Sequence, residues 1–553
     1  ALMSNFLQSP EVRVVEASAG SGKTYALAKR YVQLLLNISS TTPLAFKHIL
    51  AITFTNKAAI EMKSRILELL KRIALGNLSP DEEKDILTPL GLNAFKAQKR
   101  SLEIMDELIR HYHYFGVLTI DSFMNMLLCG CAFRINLSAR FKIRRNVDDY
   151  LQLSVDELID QSYEDKQLKA LFADFIRQFL FLENRMGWFP KKDLLGVLRT
   201  LFNHHNTYQM PFILFDHDQG DVIGSKQKFL SSVKELRPLL PASADKGFLN
   251  SLDKFLAEHP HAFDIDDVSR YFARTDVPLT AGEQPSRELE EVWERCRGLL
   301  NLVCLQESYA VFNAYVRLFN AAMERFSRLQ TKDDVLFLGQ LNKKAGDLFD
   351  SGQMTVEELF YRLATRYQHY LIDEFQDTSK AQWKNLHAMV EEALSTGGSL
   401  FFVGDKKQAI YSFRGGESRL FEELKDTYRH FNVTTETLSR NFRSQSRIVH
   451  FNNQVFKMDN VVRFMNAFQA QDRMAGKGIA FTAADRERLT QVFTAAQQEP
   501  RMDLPHGSVR VSMIAGKKKE ERLRLTQEQV MKVVVDAQQR FTKGQIAILT
   551  RNN

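Results

Sequence analysis

Two short strings in this chain combine the residue types that bind and hydrolyse a nucleotide polyphosphate. The first, EASAGSGKT at Glu16–Thr24, lies between an apolar run and a helix-like stretch, which is the order of a P-loop. Its glycines let backbone N–H groups turn toward phosphate oxygens, and the helix N-terminus adds a favourable dipole. We expect Lys23 to contact the β- and γ-phosphates and the Thr24 hydroxyl to hold Mg²⁺. The loop residues expected at the phosphates are Ala17, Ser18, Ala19, Gly20, Ser21 and Gly22.

The second string, YLIDEFQDT at Tyr370–Thr378, supplies the acids that such a loop requires. The run His369–Ile372 predicts a short buried strand that delivers Asp373 and Glu374 to its carboxyl end, where open α/β sheets bind ligands. Asp373 is suited to hold Mg²⁺, and Glu374 is suited to orient and deprotonate the attacking water. The alternatives are a solvated acidic pair here and a tight structural turn at the first string, where Ala17 replaces the usual glycine.

These residues need a parallel sheet that brings the ends of several strands together. Five short apolar runs predict its strands, because each run ends at a cluster of polar or glycine residues. The runs are Val12–Val15, Ile49–Thr53, Val117–Ile120, Tyr370–Ile372 and Leu400–Val403. Apolar spacing also predicts helices over Lys23–Leu36 and Asn56–Leu70. The predicted fold class is therefore α/β, with a parallel-sheet core that carries a P-loop.

A long segment between the third and fourth strands predicts a helical insert. Residues 135–332 lack the alternation of strands and favour helices, for example over Tyr150–Ser162, Lys169–Phe181 and Glu288–Leu329. We therefore divide the chain into four parts. They are 1–134, the first part of the core; 135–332, the inserted helical domain; 333–439, the rest of the core; and 440–553, the start of a second α/β domain, which the family resemblance described below implies to be RecA-like.

After Ser439 the α/β pattern starts again and stops early. The sequence predicts a helix near Gln445–Phe456, a strand over Ser508–Ile514, a helix over Glu521–Phe541 and a strand over Gln545–Thr550. An α/β domain needs more elements than these to close its core. We therefore expect 440–553 to be an incomplete domain and the chain to be part of a longer protein.

Two further strings supply a phosphate sensor and groups that can stack on bases. LFFVGDKKQAIYSFRGG at Leu400–Gly416 predicts a strand followed by Gln408, whose amide suits a γ-phosphate, and then by two aromatic rings and a basic residue. These last three are Tyr411, Phe413 and Arg414. Half-buried core positions are the alternative for the two rings. LSRNFRSQ at Leu438–Gln445 places Arg443 where it can reach a γ-phosphate across a cleft.

Two strings near the second and third strands carry hydroxyl groups and an aromatic ring. They are AITFTNKAAIEMKSRI at Ala51–Ile66 and GVLTIDSF at Gly116–Phe123. Such groups can contact a phosphodiester backbone and a stacked base. The candidates are Thr53, Phe54, Thr55, Asn56, Lys57 and Thr119. The basic stretch Arg140–Arg145 either extends this track or is a solvated face.

Charge and cysteine content limit the class of function. The 74 Lys+Arg against 67 Asp+Glu give a net charge of +7, which is compatible with a polyanionic partner. Four cysteines suggest no disulfide framework, so the cytoplasm is the expected location. An HxH pair at His111 and His113 and a CxC pair at Cys129 and Cys131 leave zinc as a weak alternative. We find neither a predicted membrane span nor a secretory leader.

In this order, the strings resemble the motifs of superfamily 1 DNA helicases of the UvrD/Rep type. The start of the chain, FLQSPEVRVVEASAGSGKTYALAKRYVQLLL, is most similar to the RecB/AddA branch. The resemblance implies two RecA-like domains around ATP and Mg²⁺, and 3′→5′ movement on single-stranded DNA in repair or recombination. It also implies duplex ends as a substrate and a nuclease subunit or C-terminal nuclease domain as a partner.

The same resemblance implies further residue roles. Gln408 and Arg443 would contact the γ-phosphate, and Phe442 would pack near the adenine. The DNA track would be lined by Phe54, Tyr411, Phe413 and Arg414. Gln8 lies near the place of the family's adenine-reading glutamine, and Tyr25 stands where relatives often carry an arginine beside the base.

Two family strings, resembling TIHxAKGLE and YVALTRA, do not occur in the sequence. We therefore expect this chain alone to bind ATP and DNA but to be impaired in unwinding. The alternative function is a DNA-binding scaffold whose ATP site is a switch. A P-loop kinase of small molecules does not explain the GDKKQAIYSFRG and NFRS strings.

Overall fold

The computed structural model describes most of the chain. The described residues are 10–38, 42–181, 190–215, 219–241, 244–279, 284–350, 352, 355–363, 365–409, 416–417, 419–474, 482–494, 496–501, 507–516 and 518–550. They form two compact units. The first comprises the residues up to Glu16 and Lys23–Thr437, and the second comprises Ala17–Gly22 and Leu438–Asn553.

A six-stranded sheet forms the centre of the first unit. The strands of the protein are β1 Glu11–Ala17, β2 Ile49–Thr53, β3 Val117–Thr119, β4 Lys142–Arg144, β5 Val335–Phe337, β6 His369–Ile372, β7 Ser399–Gly404, β8 Asn432–Leu438, β9 Arg440–Asn441 and β10 Glu499–Pro500. The central sheet has the order β3-β2-β6-β7-β1-β8, and its first five members pair in parallel. Parallel strands are apolar throughout because helices cover both faces of the sheet.

Helices surround this sheet and form most of the remaining structure. They are α1 Lys23–Ile38, α2 Asn56–Ala74, α3 Pro80–Ile86, α4 Ala94–Arg110, α5 Ile120–Gly130, α6 Asp148–Gln161, α7 Lys166–Phe181, α8 Pro190–Tyr208, α9 Gln219–Leu239, α10 Lys246–Glu258, α11 Arg287–Asp333, α12 Leu341–Asp350, α13 Val356–Leu363, α14 Lys380–Ser395, α15 Leu420–Thr427, α16 Ser446–Val455, α17 Met458–Met474, α18 Ala483–Thr494 and α19 Lys519–Gln538. The main core packs α5, α12, α14 and α15 against the sheet, and α1 packs against β2 and β7.

The helical insert is organised around one long helix. α11 has 47 residues, which corresponds to about 70 Å at the usual rise per residue. Its first half packs with α9 and α10 in one apolar cluster, and its second half packs with α6, α7 and α8 in another. At the base, β4 pairs in parallel with β5. The insert therefore begins and ends at adjacent points.

The predicted α/β core and helical insert are confirmed, with small shifts at the ends of the elements. Ile120, predicted as the end of a strand, instead starts α5, because the Thr119 hydroxyl caps that helix. Besides its helices, the insert contains the three-residue strand β4, whose sequence is too short and too basic to give an alternating apolar signal. Its exposed residues form part of the basic stretch 140–145.

Two predicted strands of the second unit are also wrong. Of the described residues, neither 508–514 nor 545–550 forms a β-ladder. Val511 is 72% exposed, Met513 98% and Leu549 94%. A strand exists only where its backbone groups pair with a neighbour, and β-branched side chains alone do not supply that neighbour. The second unit instead contains α16 to α19 and the short parallel pair of β9 with β10.

Two negative findings concern membranes and metals. Within the described residues, no helix combines the length and apolar character that a membrane span needs. The described part of the chain also brings together no group of three or more His, Cys, Asp and Glu that would hold a metal ion. The HxH and CxC pairs therefore do not converge on a zinc site.

Candidate active site

The glycine loop begins where β1 ends and stops where α1 begins. Gly20 and Gly22 have φ angles of 78° and 93°, a left-handed conformation that glycine adopts without strain. The loop is closed from within, because the backbone N–H and hydroxyl of Ser21 both donate to the Ser18 carbonyl oxygen, at 3.2 and 2.7 Å. Lys23 and Thr24 follow as the first two residues of α1.

The two acids follow directly after β6, as predicted from the apolar run. Asp373 continues the sheet, since its backbone N–H donates to the Ile52 carbonyl oxygen at 2.9 Å. Glu374 has φ 48° and ψ 46°, a left-handed conformation that costs a non-glycine residue about 1–3 kcal/mol. Its N–H donates to the Asp373 carboxylate at 3.0 Å. The fold thus holds Glu374 in a strained position at the sheet edge.

Lys23, Glu374 and Gln408 are brought together inside the first unit. The Lys23 ammonium donates to Glu374 Oε2 at 2.8 Å, and its distance to Gln408 Oε1 is 3.5 Å. Lys23 is 9% exposed, whereas the Glu374 side chain is 34% exposed, so the ammonium is shielded from water and the carboxylate remains partly accessible. These residues are far apart in the sequence. The parallel pairing of β1 with β7 and of β7 with β6 brings them together.

Negative charge is crowded at this edge. Burial and then the adjacent Glu374 charge raise the pKa of Asp373 to about 7, against the opposing effect of Lys23. Burial, followed by the Glu374 charge, raises the pKa of Asp377 to about 6. Among the described residues, Asp377 Oδ1 is buried with no hydrogen-bond partner. A cation at this place would relieve both effects.

The residues present fit Mg²⁺ that arrives with a nucleotide. Mg²⁺ in such sites takes one or two carboxylates and substrate phosphates, and does not need an all-protein cage. Asp373 provides a buried carboxylate whose charged form is disfavoured without a cation. Thr24 provides a half-buried hydroxyl at the start of α1. These are the two ligands that the sequence predicted.

Sequence reasoning missed a buried glutamine between the acids and the phosphate sensor. Gln376 is 2% exposed, and its amide Nε2 donates to Glu374 Oε2 at 2.8 Å. Its Oε1 accepts from the Asp405 backbone N–H at 2.8 Å. The available signal was its place in a tight turn directly after Glu374, which returns the side chain toward the strand end.

In the second unit, the glycine loop contacts the segment that carries Phe442 and Arg443. The Phe442 N–H donates to the Gly20 carbonyl oxygen at 2.8 Å, and Asn441 Nδ2 donates to the Ala19 carbonyl oxygen at 3.1 Å. Asn441 Oδ1 also accepts from the Arg443 backbone N–H at 2.9 Å. The sequence did not single out Asn441, which ties the predicted arginine to the loop.

The predicted nucleic-acid residues near β2 and β3 lie at one edge of the sheet. Thr53 pairs with Thr119 in the register of these strands. The Thr53 hydroxyl donates to the Thr55 carbonyl oxygen at 3.2 Å, and the Thr119 hydroxyl accepts from the Ser122 N–H as a helix cap. These two buried hydroxyls are therefore used inside the fold. Thr55, Asn56 and Lys57 are exposed at the start of α2, and Phe54 is half-buried.

A comparison with models of known protein families shows which family this chain belongs to. The model of the UvrD/REP helicase N-terminal domain matches residues 5–429. The chain belongs to the UvrD/REP helicase family.

Curated relatives of this UvrD/REP helicase chain are much longer proteins. An ATP-dependent helicase/nuclease subunit of Bacillus pumilus strain SAFR-032 is 24% identical over 497 residues, which cover 80% of this chain and 38% of that protein. The protein of the same name from Staphylococcus aureus strain JH9 is 23% identical over 542 residues, which cover 88% of this chain and 41% of that protein. The UvrD/REP chain thus spans about two fifths of the length of these relatives.

Some predicted site residues of the UvrD/REP chain lie outside the described residues. They are Gln8, Tyr411, Phe413 and Arg414. Tyr25 is described and lies near α3, since burial and the charges of Asp85 and Glu82 raise its pKa. Arg72, which pairs with Glu82, lowers this pKa in opposition, so charges of both signs lie near the phenol.

Proposed function

We propose that this chain is the ATP-hydrolysing motor of a DNA helicase that moves 3′→5′ on single-stranded DNA. The observation that carries the proposal is the contact of Lys23 with Glu374 and its approach to Gln408 inside one unit. Together these side chains offer a charge for the γ-phosphate, a base for water and an amide that distinguishes ATP from ADP. Membership of the UvrD/REP family supports the assignment.

Lys23 couples nucleotide binding to activation of the base in this proposal. Its ammonium now neutralises Glu374 at 2.8 Å. A nucleotide in the loop competes for the same ammonium, since its phosphates carry more charge than one carboxylate. Glu374 is then released to orient and deprotonate water. Thr24 and Asp373 would hold Mg²⁺, which would supply positive charge beside the transferred phosphoryl group.

Phe442 and Arg443 complete the nucleotide contacts in this proposal. Both belong to the segment that contacts the glycine loop in the second unit. The Phe442 ring is 50% exposed, and the guanidinium groups of Arg440 and Arg501 lie within 6.0 Å of its centroid, so an adenine would use the ring surface that these groups leave exposed. Arg443 would add a second positive charge at the γ-phosphate.

The proposed DNA track begins at the amino end of α2. Exposed Thr55, Asn56 and Lys57 lie there, where backbone N–H groups and the helix dipole favour a phosphate. Phe54 would stack on a base, together with Tyr411, Phe413 and Arg414. The net charge of +7 supports a polyanionic partner.

We further propose a role in processing double-strand-break ends. The two relatives are named as subunits of ATP-dependent helicase/nucleases, which supports a nuclease in the same protein or in a partner subunit. The proposed domain division remains 1–134 and 333–439 for the first RecA-like domain, 135–332 for the insert and 440–553 for the second domain.

The deciding experiment measures ATP hydrolysis by the intact protein with and without single-stranded DNA. We expect DNA to stimulate turnover and Glu374→Gln to abolish it while nucleotide binding persists. Glu391→Gln is the matched control, because Glu391 is an exposed partner of His387 on α14. Turnover that ignores DNA, or that survives in Glu374→Gln, would favour the scaffold function.

Strand displacement then tests the direction of movement. The substrates are duplexes with a 3′ or a 5′ single-stranded tail, and the readout is release of a labelled strand. We expect release from the 3′-tailed duplex alone. Equal release from both tails would contradict the proposed polarity but would leave ATP-driven unwinding in place.

A further inference from the structure

Gln376 belongs to a closed ring of hydrogen bonds that joins several side chains and one backbone N–H. Its Nε2 donates to Glu374 Oε2 at 2.8 Å and approaches Asp377 Oδ2 at 3.3 Å. Its Oε1 accepts from the backbone N–H of Asp405 at 2.8 Å. The one side chain therefore links the end of β6 to the end of β7.

The ring closes through the phosphate sensor and the loop lysine. Asp405 Oδ2 accepts from Gln408 Nε2 at 2.7 Å, and Gln408 Oε1 lies 3.5 Å from Lys23 Nζ. Lys23 completes the circuit by its 2.8 Å contact with Glu374. Every side chain of the first unit that we propose to act at the γ-phosphate is thus connected to Gln376.

An amide is the group that this position requires. It must donate to Glu374 on one side and accept from Asp405 on the other, which neither a carboxylate nor an apolar side chain does. The space is also specific, because a Cβ at Gly404 would lie 2.4 Å from Gln376 Oε1. Glycine at 404 therefore leaves room for the amide oxygen.

The strained backbone of Glu374 shows why an orienting partner matters. A residue held in the left-handed region persists there only when its surroundings fix it. Lys23 is one partner of the carboxylate, but a nucleotide competes for that ammonium. Gln376 is buried and faces protein groups, so it is the partner that Glu374 keeps when Lys23 engages phosphate.

We propose that Gln376 is a positioning residue for ATP hydrolysis. Its amide orients the Glu374 carboxylate and holds the turn that carries Gln408 in a fixed position relative to that carboxylate. The proposal rests on the proposed function of this site. It predicts that loss of the amide lowers the rate of the chemical step and leaves nucleotide binding intact.

The test compares kcat and KM for ATP in the intact protein, in the presence of single-stranded DNA. Gln376→Met keeps the size of the side chain and removes both hydrogen bonds. We expect kcat to fall about 10- to 100-fold, the usual effect of removing a partner that orients an active-site ligand, with KM and binding of a fluorescent ATP analogue unchanged. Gln382→Met is the matched control, since Gln382 caps α14 in the same segment. The control should keep the wild-type kcat.

A double-mutant cycle distinguishes positioning from a general structural role. If Gln376 acts through the ring, Gln376→Met and Gln408→Ala should be non-additive in kcat, with the double variant losing less than the product of the single losses. Additive losses, or a wild-type kcat in Gln376→Met, would overturn the inference. If thermal unfolding shows that Gln376→Met does not fold, Gln376→Glu keeps the shape and should show the same loss of kcat. A wild-type protein without ATPase activity would instead contradict the proposed function.

Discussion

Helix α1 carries two buried basic residues, which lie at opposite edges of the same sheet. Lys23 starts the helix at the carboxyl edge, beside Glu374. Arg30 lies about two helical turns later, at the amino edge, where it pairs with Glu11. The fold therefore permits a direct comparison of how buried charge is used in the two places.

At the amino edge, buried charges of opposite sign are paired, although Nε and Nη1 of Arg30 have no hydrogen-bond partner in the described part of the chain. Glu11 pairs with Arg30 and also with Arg13, the latter at 2.8 Å. His369 shares a 2.8 Å hydrogen bond with the Ser399 hydroxyl. Burial, helped by the positive charge of Arg30, lowers the pKa of His369 to about 3. The ring is therefore neutral at ordinary pH.

At the carboxyl edge, like charges are pressed together. Asp373 and Asp377 both have raised pKa values beside Glu374, and Glu374 itself has a left-handed backbone. Such arrangements lower stability and persist at sites where a ligand relieves them. The comparison shows that burial alone does not mark a functional site. Mismatch of charge and backbone strain mark it.

The largest expected effect is on the carboxyl edge. We expect Lys23→Ala to lower kcat for DNA-stimulated ATP hydrolysis about 1000-fold or more, because one positive charge at the γ-phosphate is worth about 10³–10⁵ in rate. Lys29→Ala is the control on the same helix, where the half-buried Lys29 pairs with Asp85 at 2.9 Å. Equal turnover in the two variants would remove the proposed catalytic difference between the edges.

At the amino edge, Glu11→Leu is expected to destabilise the fold without changing kcat per folded molecule. The substitution leaves the buried Arg30 charge without its carboxylate, which typically lowers the free energy of unfolding by about 3–5 kcal/mol. The double variant Glu11→Leu, Arg30→Met should recover much of this loss, because it removes both charges. Denaturant unfolding monitored by circular dichroism measures both values. A loss of kcat beyond the loss of folded protein would make this edge functional too.

The pH dependence of stability should reveal His369. Its pKa is lowered in the folded protein, so between pH 6.5 and about 3 the unfolded chain binds a proton that the folded chain does not. His369 therefore does not change the free energy of unfolding above pH 6.5. As the pH falls below that value, it lowers the free energy of unfolding by about 1.4 kcal/mol per pH unit. When the pH is lowered from 6.5 to 5, we expect the free energy of unfolding of His369→Gln to fall by about 2 kcal/mol less than that of the wild type. His387→Gln, at a half-buried position on α14, is the control substitution.

Much of this comparison was predictable from the sequence, and the reasons are physical. The strands β1, β2, β6 and β7 are apolar because both faces of a parallel sheet are covered, and polar residues must then gather at their ends. That logic placed Lys23 and Asp373 at one edge. It did not predict Arg30 pairing with Glu11, because a single arginine in a helix and a single glutamate before a strand carry no periodic signal.

The parts that sequence reasoning missed depend on side-chain direction or on a partner strand. Gln376 was overlooked because a turn of left-handed backbone at Glu374 sends its side chain back to β7. The strand predicted over 508–514 failed because alternation of apolar residues does not specify a pairing partner. Local pattern therefore predicts elements and strand ends, whereas hydrogen-bond networks require the tertiary structure.

The smallest expected effect concerns how the free energy of unfolding changes with pH, because the sign of this change differs between the two edges. Asp373 has a raised pKa in the folded protein, so between about pH 4 and 7 the folded chain holds a proton that the unfolded chain has lost. Its contribution to stability thus falls as pH rises through this window, opposite to that of His369. In metal-free buffer we expect Asp373→Asn to raise the free energy of unfolding at pH 8 by about 1 kcal/mol, as functional-site substitutions often do, and to have no effect near pH 4. Asp106→Asn, at an exposed pair with Arg110, is the control. A destabilised Asp373→Asn at pH 8 would place this carboxylate among the stabilising charges and erase the contrast with the amino edge.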